Sequence, residues 1–282
     1  MITLFPKFKL AMGQMLVEGG KVEENLKRAE TMIEKAAENG CQIIILPECL
    51  DTGWTHPSAK ELAKEIPGET ADRLCQAAAE NGIMVVAGIT ERSHQKIYNS
   101  AILIDEKGSI LLKHRKINVL KIAQDLYSIG NILSVVETKL GTIGVNICAD
   151  NFMNSLAIGH VQARMGAHFI FSPSSWAVKA EHDNTKQPYG EFWRKSYTEL
   201  CRLYGITVVG VSNVGWITAG PWRGRKVIGC SLAVGPDGKV IAKGPYGADA
   251  EALIPIEIQA KPRDAKGTEY SRYLKEKGYS GP

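Results

Sequence analysis

Ala36-Ala-Glu-Asn-Gly40-Cys-Gln-Ile-Ile-Ile-Leu-Pro-Glu48 is the stretch whose reading decides the fold. It leads from the end of a helical pattern, through an Asn-Gly stop suited to a left-handed terminal residue, into an apolar run that ends on a carboxylate. Upstream, Val22, Leu26, Ala29, Ile33 and Ala36 share one face of a helix over 22–39. Ala-Ala-Glu-Asn-Gly returns at 78–82, ahead of Ile83-Met-Val-Val-Ala-Gly-Ile89. The same helix–Gly–strand order follows at Met165-Gly166-Ala-His-Phe-Ile-Phe-Ser172 and at Tyr204-Gly205-Ile-Thr-Val-Val-Gly-Val211. Phe8 to Met15 alternates as a first strand. Two hairpins, around Asp105-Glu-Lys-Gly108 and Gly235-Pro-Asp-Gly238, add antiparallel pairs. An α/β protein with its helices outside is expected.

No composition shift marks a linker, so one domain over 1–282 is expected, with about 260–282 as a loosely ordered tail or an arm that packs on a partner subunit. A hydrophobic content of 44% supplies a substantial core. The net charge of +4, from 34 basic and 30 acidic residues interspersed, leaves no electrostatic footprint for nucleic acid. Cys41, Cys49, Cys75, Cys148, Cys201 and Cys230 sit in or beside apolar runs and never as C-x-x-C, so neither a disulfide framework nor a zinc knuckle is indicated. The first residues are broken by Pro6, and no apolar stretch reaches the ~18 residues needed to span a bilayer. A soluble cytoplasmic protein without a membrane partner is expected.

In α/β sheets, working residues collect where strands end. Glu48 ends the quoted stretch, Lys116 follows Ile110-Leu-Leu-Lys-His-Arg, and Cys148 ends Gly141-Thr-Ile-Gly-Val-Asn-Ile. Asp150-Asn151 reads as an N-cap for a helix after the cysteine, which would bring the positive end of that helix to the thiol. A buried cysteine is ordinarily inert, a glutamate after proline is ordinarily solvated, and Lys116 sits in a basic cluster that suits an exposed face. Together the three make a hydrolytic set. In such a set Glu48 would take the thiol proton, Cys148 would attack, and Lys116 with the backbone N–H of Ala149 would face the developing oxyanion.

Leu46-Pro47-Glu48, His114-Arg115-Lys116 and Asn146-Ile147-Cys148-Ala149-Asp150, in that order, resemble the Glu–Lys–Cys signature of the nitrilase superfamily of carbon–nitrogen hydrolases. Thr52-Gly53-Trp54, Tyr98-Asn99-Ser100, Pro173-Ser174, Ser212-Asn213-Val214-Gly215 and Gly229-Cys-Ser231 extend the likeness along nearly the whole chain. The resemblance implies a four-layer α-β-β-α sandwich, assembled as a homodimer or larger homo-oligomer through the helices after Cys148 and Trp176. It also implies a thioester route from a small amide to acid and ammonia that needs no metal or organic cofactor. Nitrile or ureide cleavage, acyl transfer to an amine, or a catalytically silent binding subunit are its alternatives.

The chain departs from that pattern at three places, one of them Ala149, a small residue after the nucleophile where many relatives carry a bulkier one, which leaves a roomier pocket near the thiol. Where the family carries a second glutamate, alignment on Gly130 puts Ala123-Gln124-Asp125. No arginine follows the Cys-x-Asp element until Arg164, which disfavours an N-carbamoyl amino acid and favours a neutral or cationic amide. Trp54 and Trp176 follow strand ends and either wall the pocket or pack against helices. The polar segment 177–193 is a cover for the pocket or a solvated connection. Six histidines form no metal-binding pattern, and no phosphate-cradling glycine motif is present.

Overall fold

The 3.6-residue spacing that begins at Val22 becomes helix α1 (Val22–Glu38), with Leu26, Ala29, Ile33 and Ala36 buried and Glu23 and Glu24 in the first turn, where the helix dipole favours them. The structure is a computed structural model that describes residues 5–281. Its other helices are α2 (Ala59–Leu62), α3 (Glu69–Asn81), α4 (Ala157–Met165), α5 (Glu191–Tyr204) and α6 (Glu269–Glu276). The first half supplies strands β1 (Lys7–Gln14), β2 (Ile43–Ile45), β3 (Met84–Ser93), β4 (Lys96–Ile104) and β5 (Ile110–Arg115). The second half supplies β6 (Val135–Thr138), β7 (Gly141–Val145), β8 (Phe169–Ser174), β9 (Ala177–Val178), β10 (Thr207–Ser212), β11 (Val214–Trp216), β12 (Lys226–Ile228), β13 (Leu232–Val234), β14 (Val240–Lys243) and β15 (Ala252–Gln259).

These strands form two six-stranded sheets, β15-β1-β2-β3-β4-β5 and β14-β13-β10-β8-β7-β6, and a small third sheet, β11-β12-β9. Each large sheet has a parallel centre, β1–β2–β3 in one and β7–β8–β10 in the other, with antiparallel strands at both flanks. Strand alternation then separates two cores. Leu10, Met12, Ile43, Ile45, Met84 and Val86 belong to one cluster with Ile143, Val145, Phe169 and Phe171 of the second sheet. Their neighbours Ala11, Ile44, Val85 and Ala87 cluster with Leu26, Ile33, Leu74 and Ala78 of α1 and α3. Helices α4 and α5 cover the far side of the second sheet, so the architecture is the four-layer α-β-β-α sandwich.

Two local expectations are corrected. Asp150 and Asn151 do not cap a helix: Cys148–Asn151 is a single 3-10 turn, and α4 begins only at Ala157. The Asp150 oxygens are taken instead by donors around the site described below. The segment after residue 260 is not a loose tail, because Tyr270 and Leu274 of α6, one helical turn apart, are buried. Arg263 donates to the Ala163 carbonyl at 3.1 Å and to the Tyr270 hydroxyl at 2.9 Å, docking the segment on its own chain. No helix among the described residues is long and apolar enough to cross a membrane.

Candidate active site

The two large sheets meet at the ends of β2 and β5 on one side and of β7 and β8 on the other. Leu46-Pro47 carries the chain from β2 to Glu48, whose N–H bonds the Ser174 carbonyl of the opposite sheet at 3.2 Å. Gly88 of β3 runs directly beneath: a Cβ there would stand 2.6 Å from the Glu48 Cα, so only glycine permits this approach. The Glu48 side chain is buried, and its Oε1 accepts from Lys116 Nζ at 2.6 Å and from Asn99 Nδ2 at 2.6 Å. Oε2 is buried with no hydrogen-bond partner among the described residues. That oxygen is left as a seat for a proton.

Lys116 lies just past β5, its N–H bonded to the Asn99 carbonyl at 2.8 Å. The basic run Lys113-His114-Arg115-Lys116 is split by the strand period. His114 and Lys116 point into the seam between the sheets and are buried, while Lys113 and Arg115 point the other way, onto the buried carboxylate of Glu91 at 2.7 and 2.6 Å. Gly130 returns the chain against this strand end: its N–H bonds the Lys116 carbonyl at 2.8 Å, and a Cβ would come 2.0 Å from the Arg115 carbonyl oxygen.

Cys148 opens its 3-10 turn at φ 45°, the left-handed region that costs a residue with a Cβ roughly 1–2 kcal/mol. A buried polar lattice over-determines it. The Cys148 N–H donates to Ser172 Oγ at 3.1 Å, and Asn151 Nδ2 donates to the same oxygen at 2.9 Å and to Asn146 Oδ1 at 2.7 Å. Asp150 ties the turn to the strand of Lys116. Its Oδ2 accepts from Ile147 N at 3.0 Å and from His114 Nε2 at 2.9 Å; its Oδ1 accepts from Ile117 N at 3.1 Å and Asn118 N at 2.7 Å.

The electrostatics follow from burial. Burial first, then the Glu48 charge, push the Cys148 thiol up to about 12 against the pull of Lys116 and of the Ser175 backbone N–H. The thiol is therefore protonated at rest, opposite to what a helix N-terminus would have produced. Burial pulls the Lys116 ammonium down, but the Glu48 carboxylate beside it outweighs burial, and its pKa is raised. Burial likewise opposes the charge on Asp150, yet the His114 bond and the backbone donors hold its carboxyl below the usual range. A neutral thiol, a fixed cation and a carboxylate with one unused oxygen can transfer a proton and hold a developing anion.

The remaining residues singled out in the sequence are placed as follows. Ala149 is buried, its carbonyl accepting from Asn118 Nδ2 at 2.6 Å and Ser155 Oγ at 2.7 Å. Trp54 packs on Trp222, with ring centroids 4.9 Å apart, and lines a small cavity with Ser175 and Asn213. Trp176 is 1% exposed and stacks on Trp193 of α5 at 4.9 Å, which makes its ring part of the core. Ala123 lies in a buried apolar cluster with Cys49, Trp54 and Tyr127, whereas Gln124 and Asp125 are exposed, so neither polar residue takes the place of the family's second glutamate. Asn99 is a site residue that strand-end position alone misses, although a polar side chain on the same strand face as Ala101 and Leu103 signals a task inside the seam.

A family model described as carbon–nitrogen hydrolase matches residues 9–265. Relatives include an omega-amidase of Xenopus tropicalis, 32% identical over 266 residues that cover 89% of this chain and 88% of that protein. An omega-amidase of Danio rerio is 33% identical, covering 90% and 95%, and a nitrilase of Pyrococcus abyssi is 30% identical, covering 89% and 90%. Among solved structures, a carbon–nitrogen hydrolase from Helicobacter pylori G27 superposes with TM-score 0.80 at 19% identity, covering 96% of this chain and 92% of that one. An amidase from Nesterenkonia sp. superposes with TM-score 0.76 at 18% identity, covering 92% and 93%.

Proposed function

This chain belongs to the carbon–nitrogen hydrolase family, and on that premise we propose that it hydrolyses a small linear amide to acid and ammonia through a thioester on Cys148. The thiol proton passes to Glu48 as the sulfur attacks the amide carbon. Lys116 Nζ and the Ala149 N–H hold the oxyanion, and each such donor lowers the barrier by about 3 kcal/mol. Glu48 returns the proton to the departing nitrogen, the C–N bond breaks and ammonia leaves. A water then gives a proton to Glu48 and attacks the thioester, releasing the carboxylic acid and restoring the thiol. The observation that carries this reading is the divided use of one carboxylate: Oε1 is held by Lys116 and Asn99, and Oε2 has no partner among the described residues.

The omega-amidases among the relatives support a terminal primary amide as the scissile group. The test is intact-mass analysis with a panel of primary amides, nitriles and N-carbamoyl compounds, with ammonia assayed in parallel. An acyl adduct that disappears in Cys148→Ala, together with ammonia release from the amides, is the expected result. A protein that forms no adduct with any of them is a binding subunit. The exposed Met153, Val161, Met165 and Phe192 on and around α4 and α5 support assembly as a homo-oligomer through this face, checked by light scattering on Val161→Lys.

A further inference from the structure

Asn213 stands at the end of β10, on a backbone that is already committed: its carbonyl accepts from the Gly229 N–H at 3.0 Å and from Ser212 Oγ at 3.1 Å. Its side chain is a different matter. The residue is 4% exposed, and its amide oxygen has no hydrogen-bond partner among the described residues. Leaving such a group unpaired in the interior costs free energy, so its place in a fold calls for a partner that arrives from outside. Asn213 lines a cavity of about 20 Å³, shared with Trp54, Ser175, Ile217, Thr218 and Val227. That volume admits one water-sized group. Ser175 brings the cavity to the chemistry, because it directly follows Ser174, whose carbonyl accepts from the Glu48 N–H at 3.2 Å.

We propose that Asn213 is a specificity-determining residue, and that the cavity receives one small uncharged hydrogen-bonding group, a hydroxyl, borne on the acyl part of the amide. This rests on the amide-hydrolase reading of Cys148 and names the substrate class for it. Charge excludes the other obvious occupant. Among the described residues no lysine or arginine lines the cavity, and the one titratable ring, His56, has its Nδ1 engaged with Ser58 Oγ at 2.7 Å, so a distal carboxylate finds no counter-ion there. Size excludes a longer polar arm. A hydroxyl completes the Asn213 amide, whereas a methyl of equal volume leaves it unpaired and desolvated, and a site of this kind discriminates against the analogue that lacks the polar group.

The test compares kcat/KM for two size-matched pairs, glycolamide against propionamide and 3-hydroxypropionamide against butyramide, with succinamate as the anionic control. The native protein is expected to favour one hydroxy amide over its apolar partner by ten- to a hundredfold and to process succinamate more slowly than either. Asn213→Leu, similar in volume, is expected to bring that ratio to one or below, and Asn213→Ser to keep part of it. A purely structural amide would instead lower the melting temperature in Asn213→Leu and leave the ratio alone. The proposal is overturned by equal rates within both pairs in the native protein, or by a native ratio that survives in folded Asn213→Leu. If no amide is consumed and no Cys148 adduct forms, it is the amide-hydrolase reading that falls.

Discussion

Replacing Lys116 by methionine separates what the ion pair contributes to the fold from what it contributes to the reaction. The ammonium and the Glu48 carboxylate are 2.6 Å apart with side chains 2% and 0% exposed. Lys116→Met therefore leaves an uncompensated carboxylate sealed between the sheets, with only the Asn99 amide hydrogen-bonded to it. Breaking a buried pair from one side costs about 3–5 kcal/mol. For a chain of this size, about 2–4 °C of melting temperature accompanies each kcal/mol, so the single variant is expected to melt roughly 10 °C lower. Adding Glu48→Gln removes the stranded charge. Exchange of a buried pair for neutral groups is close to neutral in stability, and the double variant should recover most of the loss. Turnover is expected to behave differently: both variants lack the proposed oxyanion donor and should fall by at least about 10²–10³. Calorimetry at neutral pH alongside ammonia release decides the matter. Additive destabilisation, with the double variant melting below either single one, would refute the account of the site as a buried charge pair.

Further outcomes follow from neighbouring groups. In Glu48→Gln the negative charge that helps hold the Cys148 thiol near 12 is gone, and since unit charges about 4 Å apart interact by about 4 kcal/mol at intermediate dielectric, the thiolate midpoint should move down by about 1–3 pH units; an ultraviolet thiolate titration that moves up or not at all contradicts this. Asp150→Asn offers one acceptor oxygen to four donors, so about 3 kcal/mol of stability and at least tenfold of turnover are expected to go, and full activity in the variant would show that Asp150 does not set the spacing of Lys116 and Cys148. Burial raises Asp51 from 3.8 to about 6, so the folded state holds this proton more tightly than the unfolded one. Its contribution is fully present below pH 3.8 and is lost, by about 3 kcal/mol, as pH rises through 6; denaturant unfolding of Asp51→Asn should be flatter over that window than the native protein, and an unchanged slope counts against it.

The fold was legible because helix, glycine and strand recur in one order, and because Ile43, Ile44 and Ile45 are apolar on both faces, as a strand buried between two layers requires. The three side chains proposed to react were legible because each stands at a strand end and because the motifs around them resemble the nitrilase-superfamily signature. What surrounds them was not. Whether Lys113, His114, Arg115 and Lys116 form a solvated face or serve three buried carboxylates depends on strand register, which assigns alternate members to Glu91 and to the Glu48–Asp150 side. The helix expected right after Cys148 failed for a related reason. Asp150 has the residue type of a cap, but long-range donors at Ile117, Asn118 and His114 compete for its oxygens and win. Ala123 shows the limit from the other direction, since nothing in its own sequence tells that it sits beside Trp54 and Tyr127 in an apolar pocket.

Glu48, Asn99 and Lys116 ride on one sheet, and Cys148 rides on the other. In the proposed reaction neither half of the polypeptide suffices, and the distance over which the proton would hop is fixed by how two slabs are stacked. A small slip along the plane between them would silence the sulfur while every helix and strand stayed intact. Catalytic output is thus a finer gauge of interlayer alignment than any measure of secondary structure, and on warming it should fade before the melting transition.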